Sequence, residues 1–347
     1  MSEKIRWGVI GSGGIARRRT IPEGIVAAGN AELSTVFDVD IEANAAVATE
    51  FGARSAGSID ELLGEDIHAV YVATPVHLHF EHAAACAKAG KHLLCEKPLG
   101  MSPGEAEQMI ADCVRHGVQL GAAFMMRFHA QHQAALKIIQ EGRLGAPAYA
   151  RAQLSCWYPP MEGAWRQDPK LGGGGSLIDM GGHCIDLLEM FFGRVTRVSC
   201  FVNNTVQAYA SEDSAVALLA FENGAIATVD AFFCIPDASS KNALELYGSK
   251  GSILAKGTLG QGEVGEMTAF LEDSDAAYEA QQTRSGGEGL AIDPTPVNMY
   301  RAEIEAFSQA LLDGTPPPVG PEAGLRSQQV LTACYDSARL GRTVDIG

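Results

Sequence analysis

Apolar and polar residues follow two different rhythms along this chain, and the change falls soon after residue 124. Before it, short unbroken apolar runs alternate with helix-like stretches. The runs are Ile5 to Ile10, Ala31 to Phe37, His68 to Thr74, Lys91 to Glu96 and 118–124. Runs of this length without a polar face predict strands buried on both sides. Between them lie helical patterns at 79–90, stopped by Gly90, and at 102–116, with Ser102 as cap and Pro103 at the first helical position. The alternation predicts a doubly wound parallel sheet over residues 1–124.

Past residue 124 the period changes. A helix at 130–141 ends near Gly142, and alternating stretches follow at 146–157, 195–207, 212–221, 225–234, 243–248 and 252–256. Ala225-Ile226-Ala227-Thr228-Val229-Asp230 shows the pattern, which predicts a mainly antiparallel sheet with one covered face. Residues 257–295 are polar and glycine-rich and predict a weak hairpin and a mobile loop. Helices at 297–313 and 320–340 close the chain. The expected fold class is α/β: a Rossmann domain over 1–124, then an α/β domain over 125–347 built on a large, open, mainly antiparallel sheet.

Composition narrows the function. A net charge of −16 argues against nucleic acid, whose phosphates need clustered Lys and Arg. It leaves room for a dinucleotide, held mainly by backbone N–H groups at a helix start. No apolar stretch approaches the roughly 20 residues that span a bilayer. The start Met-Ser-Glu-Lys leads into an apolar run that ends at a glycine loop, which is no secretory pattern. The eight cysteines contain no Cys-x-x-Cys pair and lie mostly in apolar contexts, as expected of thiols in a cytoplasmic protein.

The chemistry begins at Gly11-Ser12-Gly13-Gly14-Ile15-Ala16, a G-x-G-x-x-A sequence between a strand and a helix. Gly11 allows the tight turn, Gly13 lets a pyrophosphate approach the backbone, and Ala16 lets helix pack on strand. Asp38 closes the next strand, where a carboxylate accepts from ribose hydroxyls and repels a 2′-phosphate. No Arg or Lys occurs between Asp38 and Arg54, so NAD is favoured over NADP. Arg17, Arg18 and Arg19 read as a solvated helix face, with added charge near the phosphates as the alternative. His77, His79 and His82 match no zinc spacing, so no metal is expected and a loop rim near the cofactor is the better assignment.

Glu96-Lys97-Pro98 ends a strand of the first domain, and ligands bind at the carboxyl ends of such strands. Further on, Gly172-Gly173-Gly174-Gly175 precedes Asp179 and His183, four residues apart and hence on one helix face. A carboxylate beside an imidazole fixes its orientation and stabilises its protonated form. Gly181 and Gly182 cost that helix roughly 2 kcal/mol against alanine, which implies that something fits closely nearby.

In order and separation, the Gly11 loop, Thr74-Pro75 with His79, Glu96-Lys97-Pro98, and the glycines before Asp179 and His183 resemble the Gfo/Idh/MocA family of NAD(P)-dependent sugar and polyol oxidoreductases. The likeness runs from Ile5 to about Arg342. It implies a second domain that binds substrate and assembles subunits into dimers or tetramers. It implies Lys97, Asp179 and His183 as the catalytic group, with Arg127 joining them around substrate. Trp165-Arg166 and Tyr300 are similar to the 1,5-anhydro-D-fructose reductase branch, and would line the cofactor pocket with Thr74, Pro75, His79, Glu96 and Lys97. That branch uses NADPH, with an uncharged residue at Asp38 and a basic one at Ala43, so its cofactor is not carried over; nor does Val76 match the family's Thr-Pro-Asn. The expected activity is NAD-dependent hydride transfer at a secondary alcohol of a sugar or cyclic polyol. An NADPH-dependent keto-sugar or dicarbonyl reductase, a trans-dihydrodiol dehydrogenase and a non-catalytic NAD-sensing regulator are the alternatives.

Overall fold

The computed structural model describes residues 3–272 and 289–347. Among these, six strands form one parallel sheet: β1 (Ile5–Ile10), β2 (Ala31–Phe37), β3 (Arg54–Ser55), β4 (Ala69–Val72), β5 (His92–Glu96) and β6 (Leu120–Ala123). Their order is β3-β2-β1-β4-β5-β6, so the winding reverses beside β1. That reversal opens the crevice in which doubly wound sheets hold nucleotides. Alternate residues of β4 show why the run is unbroken: Ala69 and Tyr71 enter one apolar cluster, Val70 and Val72 the other.

The second sheet has nine strands among the described residues. They are β7 (Pro147–Ser155), β8 (Val195–Asn203), β9 (Ser214–Phe221), β10 (Ile226–Phe232), β11 (Ala243–Gly248), β12 (Gly251–Lys256), β13 (Glu266–Leu271), β14 (Leu290–Ala291) and β15 (Val344–Asp345). Only the β7–β10 pair is parallel among them. In β9, Ala215, Ala217, Leu219 and Phe221 are buried while Val216 and Leu218 are exposed, the alternation of a sheet covered on one face. The helix Gly182–Phe192 packs on the covered face against β7. The expected hairpin has a counterpart in the antiparallel pairing of β13 with β14; residues 273–288 of the expected loop lie outside the described residues.

Contacts divide the chain into two compact units that are discontinuous in sequence. The first holds residues 1–128, 168–173 and 298–329, and the second holds 129–167, 174–297 and 330–347. A single boundary at 124/125 therefore does not describe the division. Helix Met299–Asp313 joins the first unit because Phe307 meets Trp7 at 5.4 Å between ring centroids and the Trp7 indole N–H donates to the Ser308 hydroxyl at 3.1 Å. The helix after the glycine loop, Ala16–Ile25, is π-wound and contains Pro22. A proline supplies no N–H, and a wide i→i+5 turn accommodates it where an α-turn would clash.

Candidate active site

In the first unit, β1 runs directly into Gly11, whose φ is +85°. A Cβ there would stand 2.8 Å from the Ala73 carbonyl carbon, so the loops after β1 and β4 pack backbone against backbone. The Ser12 hydroxyl donates to Asn44 Oδ1 at 2.8 Å, and the Asn44 amide donates to the Val36 carbonyl at 3.1 Å. The Gly13 N–H donates to Asp38 Oδ2 at 3.0 Å, while Asp38 Oδ1 accepts from the Asp40 N–H at 3.1 Å. Space beside Gly14 is open, and Ile15 leads into the helix. A carboxylate therefore stands against a glycine loop at a helix start, and this fits a dinucleotide whose ribose meets Asp38 and whose pyrophosphate meets the loop. Arg17 pairs with Glu50 of helix Ile41–Phe51 at 3.2 Å, and Arg19 with Glu23 of its own helix at 2.6 Å.

Thr74 and Pro75 follow β4, and His79 begins the next helix, Pro75 being the cap of the short turn before it. The His79 ring is buried between the Thr74 carbonyl at 2.8 Å and the Pro98 carbonyl at 2.9 Å. It braces the Thr74 loop against the Lys97 turn. Two carbonyl partners favour the imidazolium, but burial outweighs them and lowers the pKa to about 4. At neutral pH the ring thus keeps one N–H and satisfies one carbonyl. His82 spends Nδ1 on the Thr74 hydroxyl at 3.1 Å, and His77 faces the Leu171 carbonyl at 3.2 Å.

Glu96 and Lys97 sit where β5 ends. Thr20 donates to the Tyr71 hydroxyl at 3.0 Å, Tyr71 donates to Glu96 Oε1, and the Lys97 N–H donates to Glu96 Oε2 at 3.2 Å. A buried relay from the first helix therefore fixes the backbone that carries the half-buried Lys97. Tyr71 and Thr20 carry no motif and were not legible as site residues. Tyr300, at the start of helix Met299–Asp313, is buried, and among the described residues its hydroxyl has no hydrogen-bond partner. Burial and the nearby Glu96 push that phenol up. Arg127 lies on the short turn Met125–Phe128 after β6.

In the second unit, Trp165 and Arg166 share a short turn, with the guanidinium 4.1 Å from the indole centroid. Arg166 Nε donates to Asp179 Oδ1 at 3.2 Å, so the carboxylate faces a fixed cation. Tyr158 also lies within electrostatic reach of Arg166 and Asp179, although burial is what pushes its phenol up. Asp179 occupies a π-turn, Leu177–Gly181, and His183 lies just beyond, in the α-helix Gly182–Phe192. The winding thus changes from π to α between Asp179 and His183, a departure from regular helix that recurs at functional sites. His183 is buried, at 8% exposed.

The comparisons with known proteins match both units. Residues 5–124 fit the family profile described as an oxidoreductase family with an NAD-binding Rossmann fold, and residues 132–254 fit the GFO/IDH/MocA C-terminal domain. The chain belongs to the GFO/IDH/MocA oxidoreductase family. Its relatives include the 1,5-anhydro-D-fructose reductase of Ensifer adhaerens, 31% identical with 98% of each chain covered. Another is D-xylose 1-dehydrogenase (NADP(+)) 2 of Haloferax volcanii, 30% identical over 98% of this chain and 99% of that protein. The crystal structure of aldose-aldose oxidoreductase from Caulobacter crescentus complexed with glycerol superposes with a TM-score of 0.87 at 26% identity, over 99% of this chain and all of that one. This GFO/IDH/MocA chain is accordingly an oxidoreductase with an NAD-binding domain. Among its described residues, no helix is long and apolar enough to cross a membrane.

Proposed function

We propose that the protein transfers hydride between NAD and a secondary alcohol of a sugar or cyclic polyol. The observation that carries this reading is whole-length similarity to enzymes named for sugars, in a chain that also holds Lys97, Asp179 and His183. NAD, when bound, supplies the carbon that accepts the hydride. In the direction of oxidation, His183 takes the hydroxyl proton. Asp179, already paired with Arg166, stabilises the imidazolium. Lys97 donates a hydrogen bond to the reacting oxygen as negative charge develops there. Arg127 contacts the substrate, and Trp165, Arg166 and Tyr300 border the nicotinamide.

The same reading assigns a homodimer or homotetramer in the cytoplasm. Supporting assembly, Val216, Leu218, Ile226 and Phe201 are all exposed on strands of the open sheet. Supporting a reducing compartment, all eight cysteines are free thiols and six are buried. A panel of sugars and inositols, each offered with NAD and with NADP, tests the proposal through absorbance of the reduced cofactor. Turnover of at least one panel member with NAD is expected. NAD binding with no turnover of any member would instead favour a nucleotide sensor.

A further inference from the structure

The glycine run before Asp179 has no part in the chemistry assigned above, and the second unit explains two of its members sterically. A Cβ on Gly174 would stand 2.0 Å from the Tyr335 hydroxyl, and one on Gly175 would stand 2.0 Å from the Glu212 carbonyl oxygen. The chain is pressed against these two residues. Glu212 is 8% exposed, and three successive backbone donors end on it. Its Oε2 accepts from the Gly175 N–H at 2.8 Å, its main-chain carbonyl from the Ser176 N–H at 3.0 Å, and its Oε1 from the Leu177 N–H at 3.0 Å. Tyr335 completes the cluster by donating to Oε1 at 2.8 Å.

The first turn of a helix leaves N–H groups with no partner inside the helix, and a negative charge there is favourable. Glu212 satisfies two such donors with its carboxylate and a third with its backbone. The π-turn that follows carries Asp179, and His183 comes directly after it. Burial pushes the Glu212 carboxyl up, while the Leu177 and Gly175 N–H groups and the Tyr335 hydroxyl oppose that shift.

We infer that Glu212, braced by Tyr335, is a positioning residue: it fixes the turn Gly174–Ser176 and the start of the following helix, and thereby the placement of Asp179 and His183. The inference rests on the proposed role of His183 in proton transfer. Replacement by glutamine turns an NH₂ toward one backbone N–H, so one of the two amide contacts is lost and opposed. Tyr335→Phe removes the hydroxyl that donates to Oε1 and leaves both amide contacts of Glu212 in place.

The test combines hydrogen exchange of residues 174–183, read by mass spectrometry, with steady-state kinetics on Glu212→Gln, Tyr335→Phe and His183→Ala. Expected for Glu212→Gln is exchange faster by about tenfold or more in that segment alone, with kcat down by about tenfold and KM for NAD within twofold. Tyr335→Phe is expected to move both readouts in the same direction by less, and it carries the test if Glu212→Gln does not fold. A structural role alone would raise exchange across the unit and leave kcat per folded molecule unchanged, which overturns the inference. Unchanged exchange in residues 174–183 overturns it as well. Normal turnover in His183→Ala would mark failure of the proton-transfer role itself. In that case the exchange result alone decides whether Glu212 holds the segment.

Discussion

Removing the carboxylate at the end of β2 should change which cofactor the enzyme prefers. Asp38 stands 3.0 Å from the Gly13 N–H through one oxygen and 3.1 Å from the Asp40 N–H through the other, so its charge is fixed beside the loop. A unit charge placed about 4 Å away feels about 1 kcal/mol at the dielectric of water and about 4 kcal/mol at an effective constant of about 20. Asp38 is half-buried, which places the discrimination between these limits. A preference of at least about 1.4 kcal/mol, or tenfold in kcat/KM, for NAD over NADP follows. Asp38→Ser removes the repulsion but also a charged acceptor, so NAD use should fall as NADP use rises. Ala43 lies in the first turn of helix Ile41–Phe51, where its N–H is capped by Asp40 at 3.0 Å and its side chain is partly exposed. Adding Ala43→Arg offers a cation to the 2′-phosphate, at a helix-dipole cost of about 0.3–1 kcal/mol. The double variant should narrow or reverse the preference. Initial rates with both cofactors, for both proteins, decide it. Equal kcat/KM for NAD and NADP in the unmodified enzyme would refute the reasoning.

Two further outcomes follow from the second unit. Leu218 is 54% exposed on β9, and Leu218→Glu should shift the protein from dimer or tetramer toward monomer by light scattering at micromolar concentration; a monomeric parent would contradict this. Burial alone would raise the Asp213 carboxyl, but the N–H groups of Gln207, Thr205 and Val206 and the Ser214 hydroxyl prevail and hold it at about 2 against an ordinary 3.8. A lowered folded-state pKa gives stability that is complete above about pH 4 and is lost as pH falls toward 2. Asp213→Asn should therefore be less stable than the parent at pH 6, with the gap narrowing at pH 3. Equal gaps in urea midpoint at the two pH values would contradict it.

Much of the first unit was legible because its signals are local. A glycine loop between a strand and a helix, a carboxylate at a strand end and unbroken apolar runs each have one physical cause within a few residues. The π-winding of Ala16–Ile25 was not legible, since a helical period does not reveal i→i+5 bonding; Pro22 inside the pattern was the available hint. Nor was the return of helix Met299–Asp313 to Trp7, a contact across 301 residues. In the second unit the Asp179 and His183 spacing was readable, but Arg166 as the partner of Asp179 was not. Glu212 and Tyr335 lie in no motif. The available sign of them was the run Gly172 to Gly175, which lets the backbone approach another surface closely.

The most direct test of the central claim is kcat for Lys97→Ala and His183→Ala, measured on folded protein that still binds NAD. Each should lose roughly 10²-fold or more, because each interaction strengthens only as charge develops in the transition state. NAD affinity should change little, since the pyrophosphate is assigned to the Gly11 loop. Near-normal turnover in Lys97→Ala would contradict the account.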